Sequence, residues 1–244
     1  MISFTAEQRF IVTGASSGIG EGVALLLKEL GATVIGIGRN QERLDGMKAR
    51  AKHPERVFLE QKDLVEDIPG LPAYVKTLKD KYGKLQGLAC CAGISRITPL
   101  SALEVADVRT MFDVNFLVPL FMVKGFADRR VNNGIGSAVV CIASIGALHC
   151  DPGMASYDGS KGAMVSSMRA IARELAPQGV RVNCVSPSLI ETNMIDDTSR
   201  RYAEGRYPMG LGSVPDAANL IVYLLASESK WITAQNYVVD CGAF

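Results

Sequence analysis

The 244-residue sequence predicts an α/β fold, a single doubly wound parallel sheet of about seven strands with helices on both faces. Three observations predict it. Short Val- and Ile-rich runs such as Ala138-Val139-Val140-Cys141-Ile142 recur along the chain without polar alternation, as in strands buried on both faces. A helix-length segment follows nearly every run, and parallel neighbours need crossovers of that kind. Right-handed crossovers then place helices above and below one open sheet, with the ligand crevice at the carboxyl ends of the strands.

Taken in order, Phe10-Ile11-Val12 is the first strand, and a helix runs over Gly22–Leu30 after a glycine turn. Thr33–Ile37 is the second strand, followed by a polar helix over Gln41–Ala51. Arg56–Glu60 is the third strand and Pro72–Tyr82 its helix. Leu85–Cys90 is the fourth, followed by one long apolar helical region over Val105–Arg130. Ala138–Ala143 is the fifth strand, and Ser156–Ala176 a helix with small and apolar residues on one face. Val180–Val185, a helix over Pro215–Ala226 and a last strand at Tyr237–Asp240 complete the series. No repeat, low-complexity tract or linker divides it, so residues 1–244 are expected to form one domain.

Composition narrows the class. A hydrophobic content of 48% supports a large core, and a net charge of +1 provides no global field to recruit nucleic acid or an anionic membrane. The first residues lack a basic start and a long apolar stretch, and no run reaches the roughly 18 apolar residues of a membrane span. Six cysteines match no zinc pattern and read as free thiols in a reducing cytoplasm. No metal, membrane or nucleic-acid partner is expected.

The chemistry concentrates at strand ends. Thr13-Gly14-Ala15-Ser16-Ser17-Gly18-Ile19-Gly20 leaves the first strand and opens the first helix. Gly14 permits the tight turn, Gly18 lets backbone approach a pyrophosphate, and Gly20 allows helix to close on strand. The helix N-terminus supplies amide donors for phosphates. The second strand ends Gly36-Ile37-Gly38-Arg39-Asn40, with no carboxylate to bind ribose hydroxyls, as NAD sites use, or to repel a 2′-phosphate. Arg39 is suited to pair with that phosphate, so NADP(H) is preferred and NAD(H) remains possible. Further on, Tyr157-Asp158-Gly159-Ser160-Lys161 places a phenol and an ammonium at i and i+4, on one helical face. A nearby cation lowers a phenol's pKa and prepares it to exchange a proton with an alcohol or ketone oxygen. Taken alone, the pair reads more readily as a surface tyrosine one helical turn from a solvated lysine.

Together these residues resemble the short-chain dehydrogenase/reductase family, especially its 3-oxoacyl-[acyl-carrier-protein] reductase-like members. The resemblance covers essentially the whole chain. It rests on the glycine turn, Asp63, Asn115, Ser144, Tyr157, Lys161 and Pro187-Ser188-Leu189-Ile190-Glu191-Thr192 in the right order. It implies a Rossmann-type sheet and an NAD(P)-dependent oxidoreductase that interconverts a carbonyl and a secondary alcohol. Tyr157 would be the general acid in reduction. Lys161 would tune it and bind the nicotinamide ribose, and Ser144 would donate to the developing oxyanion. Asn115 would hold a water on a proton path; a mid-helix asparagine serves equally as a packing contact. Cofactor binding would involve Gly14, Ser16, Ser17, Gly18, Ile19, Gly20, Arg39, Asp63 and Leu64 toward the adenosine. Ala92, Gly93, Tyr157, Lys161, Pro187, Ile190 and Thr192 would bind the rest. Asp63 is equally suited to cap a helix.

The chain departs from the family at Cys90-Cys91-Ala92-Gly93, where two asparagines are usual, at Ser188 for glycine, and at Cys241. Altered bracing with retained binding is expected. The substrate pocket is expected from residues 95–99, 146–154 and a lid over about 189–209, which includes Met194 and Asp196. His149 lies in the second segment. Arg129, Arg130, Arg169 and Arg173 read as solvated helix faces sooner than as a basic face for an acidic carrier protein. A carbonyl reductase acting on a small molecule, such as a 3-oxoacyl thioester, is the leading reading. A sugar, polyol or steroid-like alcohol dehydrogenase and a non-catalytic nucleotide sensor or scaffold are the alternatives. A cytoplasmic homo-oligomer, tetramer or dimer, is expected from the resemblance.

Overall fold

A computed structural model describes every residue except Met194 and Asp196, and leaves aside the side chain of Thr198. Seven parallel strands lie in the order β3-β2-β1-β4-β5-β6-β7. They are β1 (Arg9–Thr13), β2 (Thr33–Gly38), β3 (Val57–Gln61), β4 (Gly87–Cys90), β5 (Ala138–Ile142), β6 (Arg181–Pro187) and β7 (Asn236–Val239). The order reverses between β1 and β4, which opens the crevice there.

The strands are continuous apolar runs because alternate residues enter different cores. Phe10 and Val12 face one side with α1 (Gly18–Glu29), α2 (Gln41–Arg50) and α8 (Val214–Leu225). Ile11, Ile35 and Val139 face the other, with α3 (Leu71–Tyr82), α5 (Val118–Phe126) and α6 (Ala155–Leu175). The two remaining helices are α4 (Val105–Phe112) and the short α7 (Asp197–Ala203). Each fully buried Ile or Val on the sheet contributes roughly 1.5–3 kcal/mol relative to exposure, so the sheet is a rigid platform for the loops at its end.

Three element expectations are corrected. The first helix begins at Gly18, four residues before Gly22, because Ser17 in an extended conformation leads the chain straight from the turn into the helix. The fourth strand starts at Gly87; Leu85 makes only an isolated bridge to Asn132. The region 105–130 is interrupted by a π-helical turn over Asp113–Leu117, between α4 and α5. A π turn needs an outside partner for its displaced groups, and periodicity does not report one. No described helix is long and apolar enough to cross a membrane. All six cysteines are free, but Cys150 is exposed and only Cys90, Cys141 and Cys184 are fully buried.

Candidate active site

One cavity of about 560 Å³ runs along the carboxyl ends of the strands, from the glycine turn and Arg39 to Tyr157 and the loop at His149. Strand register brings these parts together. Thr13 pairs with Cys90, Cys90 with Cys141 and Cys141 with Cys184, so the chain leaves four adjacent strands at one level.

The turn after β1 is shaped for close backbone approach. Gly14 has φ +69, and a Cβ there would stand 2.9 Å from the Ala92 nitrogen. Gly18 has φ +57, and a Cβ there would stand 3.3 Å from Cγ2 of Thr192. At Gly20 a Cβ would lie 2.7 Å from the Gly14 carbonyl carbon. The amides of Cys91 and Ala92 both donate to Thr13 Oγ1 at 3.1 Å, tying the exit of β4 to the exit of β1. Main-chain donors and a threonine thus provide bracing despite the cysteines at 90 and 91. Thr13 was not singled out in the sequence, where its only signal is its place before Gly14. The cradle suits a pyrophosphate on the amino end of α1. Replacing Gly20 by Ala should force helix from strand and lower nucleotide affinity at least about tenfold, with a stability loss of about 1–3 kcal/mol, read by nucleotide titration and thermal melting.

At the adenosine end, Arg39 and Asp63 approach to 3.9 Å, and the Arg39 side chain is 70% exposed. An exposed pair of this kind contributes little to stability and leaves the guanidinium free to rearrange. Asp63 Oδ1 accepts from the Val65 amide at 3.2 Å, so the residue also organises its own turn. Leu64 is buried beside it. Lys62, absent from the sequence reading, joins Arg39 on the cavity wall, and its ammonium lies 5.1 Å from the Tyr74 ring centre.

At the other end, Ser144 follows β5 and its hydroxyl accepts from the Gly146 amide at 3.1 Å. Tyr157 and Lys161 occupy the first two turns of α6. The lysine is buried, and Nζ donates to the Ile142 carbonyl at 2.8 Å. Burial lowers its pKa to about 8, against the opposing influence of the thiols of Cys141, Cys184, Cys91 and Cys90. The expected lowering of the Tyr157 pKa is corrected. Loss of water raises it, the Ser144 hydrogen bond lowers it, and the Asp158 charge raises it. Burial is the main reason, and the ammonium that was to oppose it is held by Ile142, 5.9 Å from the ring centre.

Asn115 sits in the π turn, fully buried. It accepts from the Ile94 amide and donates to the Ile94 carbonyl, both at 2.9 Å, and donates to Ser160 Oγ at 3.2 Å. It therefore joins the β4 exit loop to α6. Between Asn115 and Lys161 lies Gly93, where a Cβ would stand 3.2 Å from Oδ1 and 3.5 Å from Nζ. Pro187 and Ile190 line the cavity after β6, and Ile190 is clipped by a bridge to Gly212. Ser188 meets the Tyr207 hydroxyl at 2.5 Å. Ile195, Ser199, Tyr202 and Tyr207 line the cavity from the expected lid; Met194 and Asp196 lie outside the described residues. His149 and Phe244 stack at 5.5 Å between ring centres, and no sequence signal pointed to Phe244. Among the described residues no three His, Cys, Asp or Glu side chains stand where they could hold a metal ion.

The model of the family described as enoyl-(acyl carrier protein) reductase matches residues 14–243. The chain belongs to the short-chain dehydrogenase/reductase family. It is 29% identical over 242 residues to the 3-oxoacyl-[acyl-carrier-protein] reductase of Thermotoga maritima, covering 95% of this chain and 96% of the relative. It is 30% identical to the enzyme of that name from Vibrio harveyi, covering 96% of each. A short-chain dehydrogenase/reductase from Brucella melitensis, titled glucose/ribitol dehydrogenase, superposes with a TM-score of 0.92 at 28% identity, covering 100% of this chain and 99% of that one. A short-chain dehydrogenase from Burkholderia cenocepacia in complex with NADP superposes with a TM-score of 0.89 at 28% identity, covering 97% and 98%. This short-chain dehydrogenase/reductase is thus an oxidoreductase acting between a carbonyl and an alcohol.

A buried acid lies next to Tyr157 on α6. Asp158 is 6% exposed, and its carboxyl pKa is raised to about 6, chiefly by burial and also by the Asp151 charge. The native state therefore holds this proton up to about pH 6, whereas the unfolded chain releases it near its ordinary value of 3.8. Stability falls as pH rises through that window, and above it the buried charge costs on the order of 3 kcal/mol. The Asp158→Asn variant should be more stable than the parent by about 1–3 kcal/mol at pH 8 and nearly equal to it near pH 4. Urea unfolding at both pH values checks this; the same gap at both would break the linkage.

Proposed function

We propose that the protein is an NADPH-dependent reductase converting a ketone to a secondary alcohol, with Tyr157 as general acid. The observation that carries this reading is the continuity of one cavity. It has a pyrophosphate cradle and Arg39 at one end, and Tyr157, Ser144 and Lys161 at the other. A relative's NADP complex and the absence of an acid after β2 support the choice of cofactor. Gly14, Ser16, Ser17, Gly18, Ile19 and Gly20 would hold the pyrophosphate, Arg39 the 2′-phosphate, and Asp63 and Leu64 the adenine. Ala92, Gly93, Lys161, Pro187, Ile190 and Thr192 would hold the remainder.

When bound, NADPH supplies the hydride that the carbonyl carbon accepts. The Ser144 hydroxyl donates to the carbonyl oxygen and steadies charge as it develops there. Tyr157 releases its proton to the same oxygen. Its raised pKa keeps it protonated at neutral pH, the form that an acid needs, while an alkoxide remains far more basic than any phenol. Lys161, buried on the same face of α6 and with a pKa near 8, would return a proton toward the phenolate so formed. Asn115 donates to Ser160 Oγ, which donates to the Tyr157 carbonyl, so it braces this turn of α6 and, in the reading by family resemblance, would order the water that connects Lys161 to solvent.

The test is absorbance-monitored consumption of NADPH and NADH over ketones, aldehydes and 3-oxoacyl thioesters. The thioesters come first because the relatives named above are 3-oxoacyl-[acyl-carrier-protein] reductases. Turnover that prefers NADPH supports the reading. A protein that binds NADPH yet reduces nothing in the panel would fit a nucleotide sensor instead.

A further inference from the structure

Beyond Ser144 and Tyr157 the cavity ends in a wall that the proposed reaction does not use. Asp158, the residue after Tyr157 on α6, is buried and lines it. Its Oδ2 accepts from the Asp151 amide at 3.3 Å. The Asp151 carboxylate in turn accepts from the Tyr202 hydroxyl of α7, at 3.0 and 2.9 Å to its two oxygens. Position 146 has room only for glycine, since a Cβ there would stand 2.9 Å from the Asp158 carboxyl carbon. The loop after β5 is therefore folded around this carboxylate. The aromatic side of the same end is made by His149, Tyr207 and Phe244.

Among the described residues lining this end the only lysine or arginine is Lys161, and the charge that acts on Asp158 is that of Asp151. Arg39 and Lys62 stand at the adenosine end, and Lys161 is committed to the Ile142 carbonyl. A substrate reaching Tyr157 thus meets two carboxylates against a partly apolar wall, where charge-assisted hydrogen bonds are strong and an anion is repelled. We infer that Asp158 and Asp151 determine substrate class, selecting a carbonyl compound that carries a hydrogen-bond donor, hydroxyl or ammonium, and rejecting an anionic one. This rests on Tyr157 being the acid that protonates the carbonyl.

The experiment uses four ketones on one ring: cyclohexanone, 4-hydroxycyclohexanone, 4-aminocyclohexanone and 4-oxocyclohexanecarboxylate. Each is measured with the parent protein and with Asp158→Asn, Asp151→Asn and Tyr157→Phe. Readouts are kcat/KM with NADPH and dissociation constants by calorimetry, with and without NADP⁺. The parent should favour a donor-bearing ketone over cyclohexanone by about ten- to a hundredfold, with the carboxylate weakest. A gain for the amine alone identifies an ammonium; a gain for both donors, or for the alcohol alone, identifies hydroxyls. Either aspartate variant should shrink the advantage to a few-fold. Equal preference for cyclohexanone and the donor-bearing ketones, a preference for the carboxylate, or ratios untouched in both variants would overturn the inference. The calorimetric ranking decides the matter even without turnover. Full activity in Tyr157→Phe would instead overturn the mechanism on which the inference rests. Asp151 lies on an exposed loop, so its variant folds whatever becomes of the one at Asp158.

Discussion

Replacing Tyr157 by phenylalanine is expected to lower kcat for ketone reduction by about a hundred- to ten-thousandfold, the range for loss of a positioned general acid. Only the hydroxyl is removed, and the ring keeps its place over the Lys161 ammonium. Affinity for NADPH, measured by fluorescence titration, should stay within about threefold, because the glycine cradle and Arg39 lie at the other end of the cavity. Loss of kcat with retained affinity is the signature of a group used in the transition state. If the variant bound NADPH poorly and regained its rate at saturation, Tyr157 would be a binding residue only.

The Arg39→Asp variant is expected to lose NADPH affinity by about a hundredfold while NADH binding changes little or improves. The guanidinium is 70% exposed and meets Asp63 only at 3.9 Å, so little internal structure depends on it. The new carboxylate would repel a 2′-phosphate and accept from ribose hydroxyls, which reverses the discrimination from both sides. Ratios of kcat/KM for the two nucleotides read the outcome directly. Equal losses for both would mean that Arg39 acts through the local fold, and Lys62 would then be the cation to test next.

Much of the fold was legible because it is locally encoded. Residues 10–12, 33–37 and 138–142 are apolar without alternation, and only strands covered on both faces tolerate that pattern. The glycine spacing after β1 also reads directly, since positive φ at Gly14 and Gly18 is a backbone demand that leaves a mark in composition. The break in the long helix did not read. Val105 to Phe126 has continuous helical periodicity, and the π turn at Asn115 depends on Ile94, twenty-one positions away in the chain. Asp158 stands within the Tyr157–Lys161 window, yet nothing in its spacing marks it as buried. Its importance comes from the turn at Gly146 folding around it, which no spacing announces. Tyr202, Tyr207 and Phe244 reached the cavity through the same kind of long-range return.

What the sequence by itself determined was the order of strands and helices along the chain, the glycine turn after β1 and the set of side chains that the proposed reaction uses. Each is a property of neighbours along the chain, expressed through period, glycine content or i, i+4 spacing. What only the tertiary structure decided was electrostatic. The lysine is tethered to the Ile142 carbonyl, the tyrosine's pKa is raised where a lowering was expected, and a buried acid lines the cavity beside that tyrosine. Burial and charge proximity depend on which distant segments close over a group, so a pKa belongs to the folded cavity and not to the motif that contributes the residue.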